Sequence, residues 1–282
     1  MTKAFVVGHP ITHSRSPLIH GYWLEEHGIA GSYERIAVAP EDFAGFLARF
    51  PDQGFAGGNV TIPHKEAAFA GVRRRTPRAE RLGAVNTLWV EDGILWGDNT
   101  DVTGFMAHLD HTLAPGWERA VEAALVIGAG GAARALVAGL QERGIGSIAV
   151  ANRTAGKANE VVRDLAMDAS GRLTAVAFED LGRAAGEAGL IVNTTSLGMA
   201  GQPPLDLDLA AARPDTIVAD IVYVPLRTAL LADAAARGLR AVDGLGMLLH
   251  QAAPGFHRWF GIMPEVTPEL RARIAADIGD GR

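Results

Sequence analysis

Three short polar stretches contain residue types that could bind a small molecule and move a proton. They are Ser14-Arg15-Ser16, Asn59 to Lys65, and Asp98 to Asp101. Each follows a strand-like run, and binding groups tend to collect in the loops at strand ends. Taken singly, each also has a structural explanation: Ser16 and Asp101 as helix caps, and Lys65 as an exposed lysine. The individual residues leave both readings open, and only their combination favours a site.

A glycine-rich stretch, LVIGAGGAAR at 125–134, could hold a dinucleotide. Apolar residues stop at Gly128, glycine recurs at Gly130 and Gly131, and an alanine-rich segment follows. This order predicts a strand, a tight turn and a helix start, where backbone N–H groups and the positive end of the helix dipole stabilise a diphosphate. Ordinary strand–helix turns are also rich in glycine, so the motif alone does not establish a cofactor.

The end of the next predicted strand favours NADP over NAD. An NAD site usually carries a carboxylate about twenty residues after the glycine turn, where it binds the ribose 2'-hydroxyl. Here the sequence reads Ala151-Asn152-Arg153-Thr154, with an arginine and no carboxylate. Arginine can accept a 2'-phosphate through a charge-assisted fork of hydrogen bonds. The structural alternative is a solvent-exposed Arg153 beside a helix cap at Thr154.

Charge and composition exclude several classes of partner. The net charge of -6 and the pI of about 5.8 oppose binding to nucleic acid or to anionic lipid. The basic run from Arg73 to Arg75, with Arg78 and Arg81, is interpreted as the solvated flank of a helix. No cysteine is present, so disulfides, a thiol nucleophile and cysteine-ligated zinc are excluded. No metal site is predicted, because His9 and His13 have no further ligands around them.

We expect a cytoplasmic protein with no membrane partner. The start MTKAFVVG is too short for the apolar core of a signal peptide, and no run approaches the roughly 18 apolar residues of a membrane span. A small-molecule substrate is the expected partner, and a homodimer is left open.

The order of predicted elements distributes these stretches over two α/β domains. Strand-like and helix-like runs alternate in the first hundred residues, which favours a parallel layer, and Glu91-Asp92-Gly93 predicts a hairpin. Residues 123–241 alternate again, with continuous apolar strands typical of a sheet covered by helices on both faces, as in a Rossmann-like domain. Two helices, Gly246 to Trp259 and Pro268 to Ile278, end the chain, and Thr267 is the expected cap of the second.

Taken together, the motifs closely resemble the shikimate dehydrogenase family. They occur in this order: GHPITHSRSP, GGNVTIPHK, GAVNTL, GDNTD, VIGAGGAAR, ANRT, NTTSLGM, DIVYVPLRT and GLGMLLHQA. The resemblance runs from about Gly8 to Trp259 and is far more specific than the glycine turn alone. It implies a substrate-binding and catalytic domain at 1–106, a Rossmann-like NADP-binding domain at 107–243, and C-terminal helices at 244–282 that pack back on the substrate domain.

The resemblance also implies roles for individual positions. Lys65 and Asp101 match the family's residues at the reacting hydroxyl. The implied substrate contacts are Ser14, Ser16, Thr61, Asn86, Tyr223 and Gln251. The implied NADP(H) contacts are Gly128, Ala129, Gly130, Gly131, Ala132, Asn152, Arg153, Thr154, Lys157, Ile221 and Gly244.

The implied reaction is the reversible, NADPH-dependent reduction of 3-dehydroshikimate to shikimate, in aromatic amino acid biosynthesis. Such a reaction needs a proton at the carbonyl oxygen as charge develops there, and lysine held by aspartate can supply it. Two alternatives stay open: a quinate or shikimate-like paralogue using NAD, and a non-catalytic NADP(H) sensor. Ser16 and Arg153 favour the NADPH-dependent shikimate reaction over the NAD-dependent paralogue. The presence of both Lys65 and Asp101 disfavours the sensor.

One departure from the family's pattern carries a structural expectation. Val102 follows Asp101 where the family commonly has glycine. If that position needs a positive φ, valine there would be strained and the placement of Asp101 would change. Val224 and Lys157 also depart from the commoner residue types, and lysine attracts phosphate without the fork of arginine.

Overall fold

The computed structural model describes residues 1–166 and 171–280. Its first elements, in chain order, are β1 (Thr2–Gly8), α1 (Ser16–Glu26), β2 (Gly31–Ala37), α2 (Phe43–Arg49), β3 (Gly57–Val60), α3 (Lys65–Gly71), β4 (Arg74–Arg75), α4 (Pro77–Leu82), β5 (Thr87–Glu91), β6 (Ile94–Asp98) and α5 (Asp101–Leu113). They are followed by β7 (Ala123–Ile127), α6 (Gly131–Glu142), β8 (Ser147–Ala151), α7 (Ala155–Leu165), β9 (Arg172–Val176), α8 (Leu181–Glu187), β10 (Leu190–Asn193), β11 (Ile217–Asp220), α9 (Ala229–Ala236), β12 (Arg240–Val242), α10 (Leu245–Phe260) and α11 (Pro268–Asp280).

These elements form two compact units. The first comprises Met1–Gly104 and Leu249–Ile274, and the second comprises Phe105–Leu248 with residues 275–280. The two-domain α/β fold is confirmed. The division into functional domains at 1–106, 107–243 and 244–282 stays a prediction.

The first unit has a six-stranded mixed sheet in the order β2-β1-β3-β5-β6-β4. β1 runs parallel to β2 and β3, but β5 is antiparallel to both β3 and β6. The expected parallel layer is confirmed for β1, β2 and β3, and β5 alone runs antiparallel to its neighbours. The hairpin explains why: Asp92 and Gly93, both with positive φ, connect β5 directly to β6, and a two-residue loop can join only antiparallel strands.

Both faces of β1 are buried, because successive side chains point to opposite sides of a sheet. On one face, Phe5 makes edge-on contacts with the rings of Phe46, Phe50 and Phe55. On the other, Ala4 and Val6 lie in a cluster with Tyr33, Trp89 and Trp259. Trp259 of α10 donates its indole N–H to the Leu88 carbonyl at 2.9 Å, so the C-terminal segment 249–274 completes the core of this unit.

The basic run forms a strand and a helix rather than a helix flank, so its interpretation was wrong. Arg74 and Arg75 pair with β6 as the edge strand β4. The Arg75 guanidinium lies 4.5 Å from the centre of the Phe69 ring and donates to the Phe69 carbonyl at 2.6 Å. Thr76 then caps α4 by accepting from the Ala79 N–H.

The second unit contains a parallel sheet in the order β12-β11-β10-β7-β8-β9. All five strand pairs in it are parallel. Counted from β7, this is the 3-2-1-4-5-6 order of a Rossmann fold, with the topological switch between β7 and β10. Ligands bind outside the carboxyl ends of the strands at such a switch, and the glycine turn follows β7 there. Within the described residues, no helix is long and apolar enough to cross a bilayer.

Candidate active site

Lys65 and Asp101 form a close ion pair in the first unit. Lys65 Nζ lies 2.6 Å from Asp101 Oδ2, and the side chains are 21% and 2% exposed. A hydrogen bond to the ammonium fixes its position and leaves two of its three N–H groups for another acceptor. The other carboxylate oxygen, Asp101 Oδ1, accepts from Asn86 Nδ2 at 2.8 Å. The pair can therefore present a held, partly exposed proton donor to a bound oxygen.

Short loops at the ends of the strands fix this pair. Lys65 begins α3, and its carbonyl accepts from the Val85 N–H at 2.9 Å. Asp101 begins α5, and its N–H donates to Asn99 Oδ1 at 3.0 Å. Val102 lies inside α5 and is buried, and it is absent from the described non-glycine residues with positive φ. The valine is accommodated without backbone strain, because this position is helical.

Asn86 connects the two loops that carry the ion pair. Its Oδ1 accepts from the Thr100 N–H at 2.8 Å and from the Thr87 hydroxyl at 2.9 Å. Its Nδ2 also lies 3.4 Å from Gln251 Oε1, on α10. Four predicted site residues, Lys65, Asp101, Asn86 and Gln251, are thus brought together in the first unit.

Ser14 and Ser16 lie at the start of α1, both partly buried. Ser16 is the first residue of α1 and Arg15 occupies the N-cap position, so the explanation of Ser16 as the helix cap is wrong. Its N–H donates instead to Ser14 Oγ at 3.3 Å. Arg35 holds the loop by donating twice to the Ser14 carbonyl, at 2.9 and 2.6 Å. Thr61 follows β3, and its N–H donates to the Val7 carbonyl.

Two residues of this region, Tyr33 and Asn59, were not among the individual contacts predicted from the sequence. Tyr33 donates its hydroxyl to Asn59 Oδ1 at 2.6 Å, and Asn59 Nδ2 donates to the Asn86 carbonyl at 3.1 Å. Burial raises the pKa of Tyr33 well above its usual value, so the phenol stays a neutral donor. Asn59 lies within the Asn59 to Lys65 stretch, but Tyr33 is an ordinary strand aromatic in sequence and gives no signal of its own.

The buried His20 beside Tyr33 is not a proton donor near neutral pH. Its ring stacks on that of Tyr33 with 3.9 Å between centres, and neither ring nitrogen has a hydrogen-bond partner among the described residues. Burial lowers the pKa of His20 to about 3, because the charged form would be desolvated. His20 is therefore not a candidate acid, and Lys65 stays the predicted one.

The glycine turn of the second unit has the geometry that a diphosphate requires. Gly128 has φ +121°, and a Cβ there would overlap Thr194 Oγ1, so only glycine fits. Gly130 precedes α6 in extended conformation, and a Cβ there would meet nothing within 4 Å. Open space before the N-terminus of a 12-residue helix is what an anion needs to reach the backbone N–H groups.

The carboxyl end of β8 lies beside this turn. The N–H of Gly128 donates to the Ala151 carbonyl at 2.8 Å, and Ala151 is the last residue of β8. Arg153, Thr154 and Lys157 follow as exposed residues, and Asn152 Nδ2 donates to the Thr154 carbonyl. Thr154 makes no side-chain cap bond, and Arg153 has no ion pair within the described chain. The exposed side chains of Arg153 and Lys157 are therefore accessible to a phosphate group.

The remaining predicted contacts lie near the end of β11. Ile221 and Tyr223 are partly buried, and Val222 between them is buried. A Cβ at Gly244 would overlap the Ile221 carbonyl, so the backbone of the loop after β12 packs directly on that of Ile221. Tyr223 belongs to the second unit, unlike the other predicted substrate contacts. In the described residues there is no cluster of three or more histidine, aspartate or glutamate side chains able to hold a metal ion.

Family models match three parts of the chain. The shikimate dehydrogenase substrate binding domain matches residues 6–88, shikimate / quinate 5-dehydrogenase matches residues 116–200, and the shikimate 5'-dehydrogenase C-terminal domain matches residues 244–268. A shikimate dehydrogenase (NADP(+)) of Methylobacterium radiotolerans is 63% identical over 278 residues, which cover 98% of this chain and 97% of the relative. The chain belongs to the shikimate dehydrogenase family. A second relative, the shikimate dehydrogenase (NADP(+)) of Methylocella silvestris, is 58% identical over 98% of this chain and 96% of its own length.

Solved structures of the shikimate dehydrogenase family share the whole fold. A Thermus thermophilus shikimate 5-dehydrogenase in complex with NADP(H) and shikimate aligns with a TM-score of 0.86, at 36% identity, over 99% of this chain and 100% of that one. A Corynebacterium glutamicum quinate dehydrogenase in complex with NAD aligns with a TM-score of 0.89, at 29% identity, over 98% and 99% of the two chains. Because both align equally well, the fold does not discriminate between these substrates, and the side chains must.

Proposed function

We propose that this protein catalyses the reversible, NADPH-dependent reduction of 3-dehydroshikimate to shikimate. The observation that carries the proposal is the Lys65–Asp101 pair, at 2.6 Å, anchored through Asn86 in a chain 63% identical to an NADP(+)-named shikimate dehydrogenase. An acid held beside a carboxylate in a partly exposed position suits a ring ketone that must gain a proton as it is reduced.

In this mechanism Lys65 is the acid and Asp101 its partner. When bound, NADPH supplies the hydride that adds to the carbonyl carbon. The Lys65 ammonium donates a proton to the carbonyl oxygen, which becomes the hydroxyl, and the resulting amine regains its proton from solvent. Asp101 holds the ammonium toward the substrate, and Asn86 orients Asp101 through its second oxygen. In the oxidative direction Lys65 accepts the hydroxyl proton instead.

The substrate contacts proposed in the first unit are Ser14, Ser16, Thr61, Asn86 and Gln251, with Tyr223 contributed by the second. The hydroxyls of Ser14 and Ser16 suit the substrate carboxylate, because both side chains are partly exposed and can donate hydrogen bonds. We assign substrate binding to the first unit and the dinucleotide to the second.

The dinucleotide contacts proposed in the second unit run along the carboxyl edge of its sheet. Gly128 to Ala132 would hold the diphosphate, and Asn152 to Thr154 with Lys157 the 2'-phosphate. Ile221 and Gly244 would lie near the nicotinamide. The exposed Arg153 and the lack of a carboxylate at the end of β8 support NADP(H) over NAD(H).

A panel of rates tests this assignment. Shikimate and quinate are each offered with NADP⁺ and with NAD⁺ to the full-length protein, and kcat/KM is measured for the four pairs. We expect shikimate with NADP⁺ to be fastest. Faster turnover of quinate with NAD⁺ would establish the paralogue instead, and no turnover of any pair, with NADP⁺ still bound, would establish the sensor.

Location and assembly are part of the same proposal. A biosynthetic role of this kind places the protein in the cytoplasm, which fractionation of its native cells tests. A homodimer is the proposed assembly, and light scattering coupled to gel filtration distinguishes it from the 29.7 kDa monomer.

A further inference from the structure

A buried carboxylate, Asp220, lies at the end of β11 on the ligand-binding edge of the second sheet. It is 1% exposed and ends β11, opposite Asn193 at the end of β10. Asn193 in turn pairs with Ile127, the last residue before the glycine turn. Asp220 has no ion pair among the described residues, although a buried carboxylate without a cation is costly to the fold. Such a group calls for an explanation other than stability.

The carboxylate ties together both ends of one loop, 221–228. At the start of the loop, Asp220 Oδ1 accepts from the Val222 N–H at 3.0 Å, a local turn that aspartate favours. At the end, Asp220 Oδ2 accepts from the Thr228 hydroxyl at 2.8 Å. The Thr228 oxygen also accepts from the Leu231 N–H and so caps α9. One side chain therefore sets where the loop leaves the sheet and where the next helix begins.

The same carboxylate is linked to the neighbouring loop. Asn193 Nδ2 donates to Asp220 Oδ1 at 3.0 Å and to the Leu197 carbonyl at 3.0 Å. Asn193 Oδ1 accepts from the N–H and the hydroxyl of Thr195, at 3.0 and 2.7 Å. The loops after β10 and β11 are thus fixed to one buried pair, Asn193 and Asp220.

We propose that Asp220 is a positioning residue, which holds Ile221 and Tyr223 in place through Val222 and Thr228. The Val222 N–H donates to Asp220 and the Val222 side chain is buried, whereas Ile221 and Tyr223 on either side of it are partly exposed. The close packing of Gly244 on Ile221 leaves the loop little room to adjust by itself. The kinetic consequence rests on the proposed function, in which Ile221 lies near the nicotinamide and Tyr223 contacts the substrate.

The chain offers a matched pair of threonines for the test. Thr228 and Thr216 are both buried in the second unit, and each donates one side-chain hydrogen bond, to Asp220 at 2.8 Å and to the Ala188 carbonyl at 2.9 Å. Thr216 directly precedes Ile217, at the opposite end of β11 from the loop. Thr228→Val and Thr216→Val make the same chemical change, but only the first releases the loop, and it also removes the cap of α9. Asp220→Ala releases both ends and is the third variant.

The experiment measures kcat for shikimate, the Kd of NADP⁺ without substrate, and amide hydrogen exchange of residues 221–231. We expect Thr228→Val and Asp220→Ala to lower kcat about tenfold or more, since small misplacements of substrate contacts slow the reacting step. The Kd of NADP⁺ should stay within about threefold, because the glycine turn and Arg153 supply most of the nucleotide contacts. Exchange at 221–231 should rise about tenfold on loss of these bonds. Thr216→Val should leave all three quantities near the wild-type values.

The inference is overturned if Thr228→Val keeps both kcat and exchange within about twofold of wild type, or if Thr216→Val lowers kcat as much as Thr228→Val does. Failure of the proposed function is visible separately, as absence of shikimate turnover by the wild type. The exchange measurement then still tests whether Asp220 holds the loop, because it needs no substrate.

Discussion

At Lys65, the hydrogen bond to Asp101 holds the ammonium that the proposed mechanism uses as the acid. We predict that Lys65→Ala lowers kcat by about three orders of magnitude, since a positioned general acid contributes on that scale. The KM for shikimate should change only a few-fold, because the group acts mainly in the transition state. Steady-state kinetics with shikimate and NADP⁺ measure both. Lys3→Ala is the control, as Lys3 is an exposed lysine of β1. Near-normal kcat in the Lys65 variant would remove this residue from the mechanism.

In the proposed function, Arg153 is the residue that selects NADP(H) over NAD(H). We predict that Arg153→Ala raises the KM for NADPH roughly tenfold to a hundredfold, the worth of one or two charge-assisted hydrogen bonds. The KM for NADH should hardly change, because NADH has no 2'-phosphate to lose. Arg163→Ala, at an exposed arginine of the helix α7 that follows Arg153, is the control and should affect neither. A parallel loss with both cofactors would mean that Arg153 supports the fold instead.

At the scale of the elements, the turn between β7 and α6 uses two glycines for different reasons. Gly128→Ala places a side chain at φ +121° against Thr194, and we predict a loss of about 2 kcal/mol or more in unfolding free energy. Gly130→Ala meets nothing within 4 Å at φ -84°, so the melting temperature should hold while NADP⁺ binding weakens, since the methyl group occupies the path of the diphosphate. Calorimetry and titration separate the two effects. Gly182→Ala, an open position in α8, is the control for both and should lose neither stability nor affinity.

The elements also indicate what a single sequence can predict. The hairpin at Asp92-Gly93, the strand at Leu190–Asn193 and the Thr267 cap are confirmed, because each depends on residues adjacent in the chain. The antiparallel pairing of β3 with β5, which joins the parallel strands and the hairpin into one sheet, was missed because it is set by contacts far apart in sequence. The Tyr33–Asn59 bond and the Asn193–Asp220 pair were missed for the same reason: each joins two strands across 26 or 27 residues.

At the scale of the whole molecule, burial of one charge makes stability depend on pH. Burial raises the pKa of Asp220 from 3.8 to about 6. The groups that donate hydrogen bonds to its carboxylate are neutral, so they offset only part of the cost of burying the charge. The folded state therefore binds this proton more tightly than the unfolded state does. The unfolding free energy falls with rising pH wherever the native state holds more protons than the unfolded state. The contribution of Asp220 to the unfolding free energy is therefore most favourable below pH 4 and is lost as the pH rises through about 6.

Asp220→Asn removes this dependence, and we predict a difference that grows with pH. Relative to wild type, the variant should gain up to about 3 kcal/mol in unfolding free energy between pH 4 and pH 7, the equivalent of two pKa units. Urea unfolding at four pH values across that range measures it, and any pH-independent change from altered hydrogen bonds cancels in the comparison. Asp215→Asn is the control, because the hydrogen bond from Arg213 lowers the pKa of that exposed carboxyl and gives the opposite sign. A pH-independent difference between the Asp220 variant and the wild type would show that burying this charge costs no stability. A gain in stability together with a loss in kcat is the result expected if the carboxylate is retained for positioning.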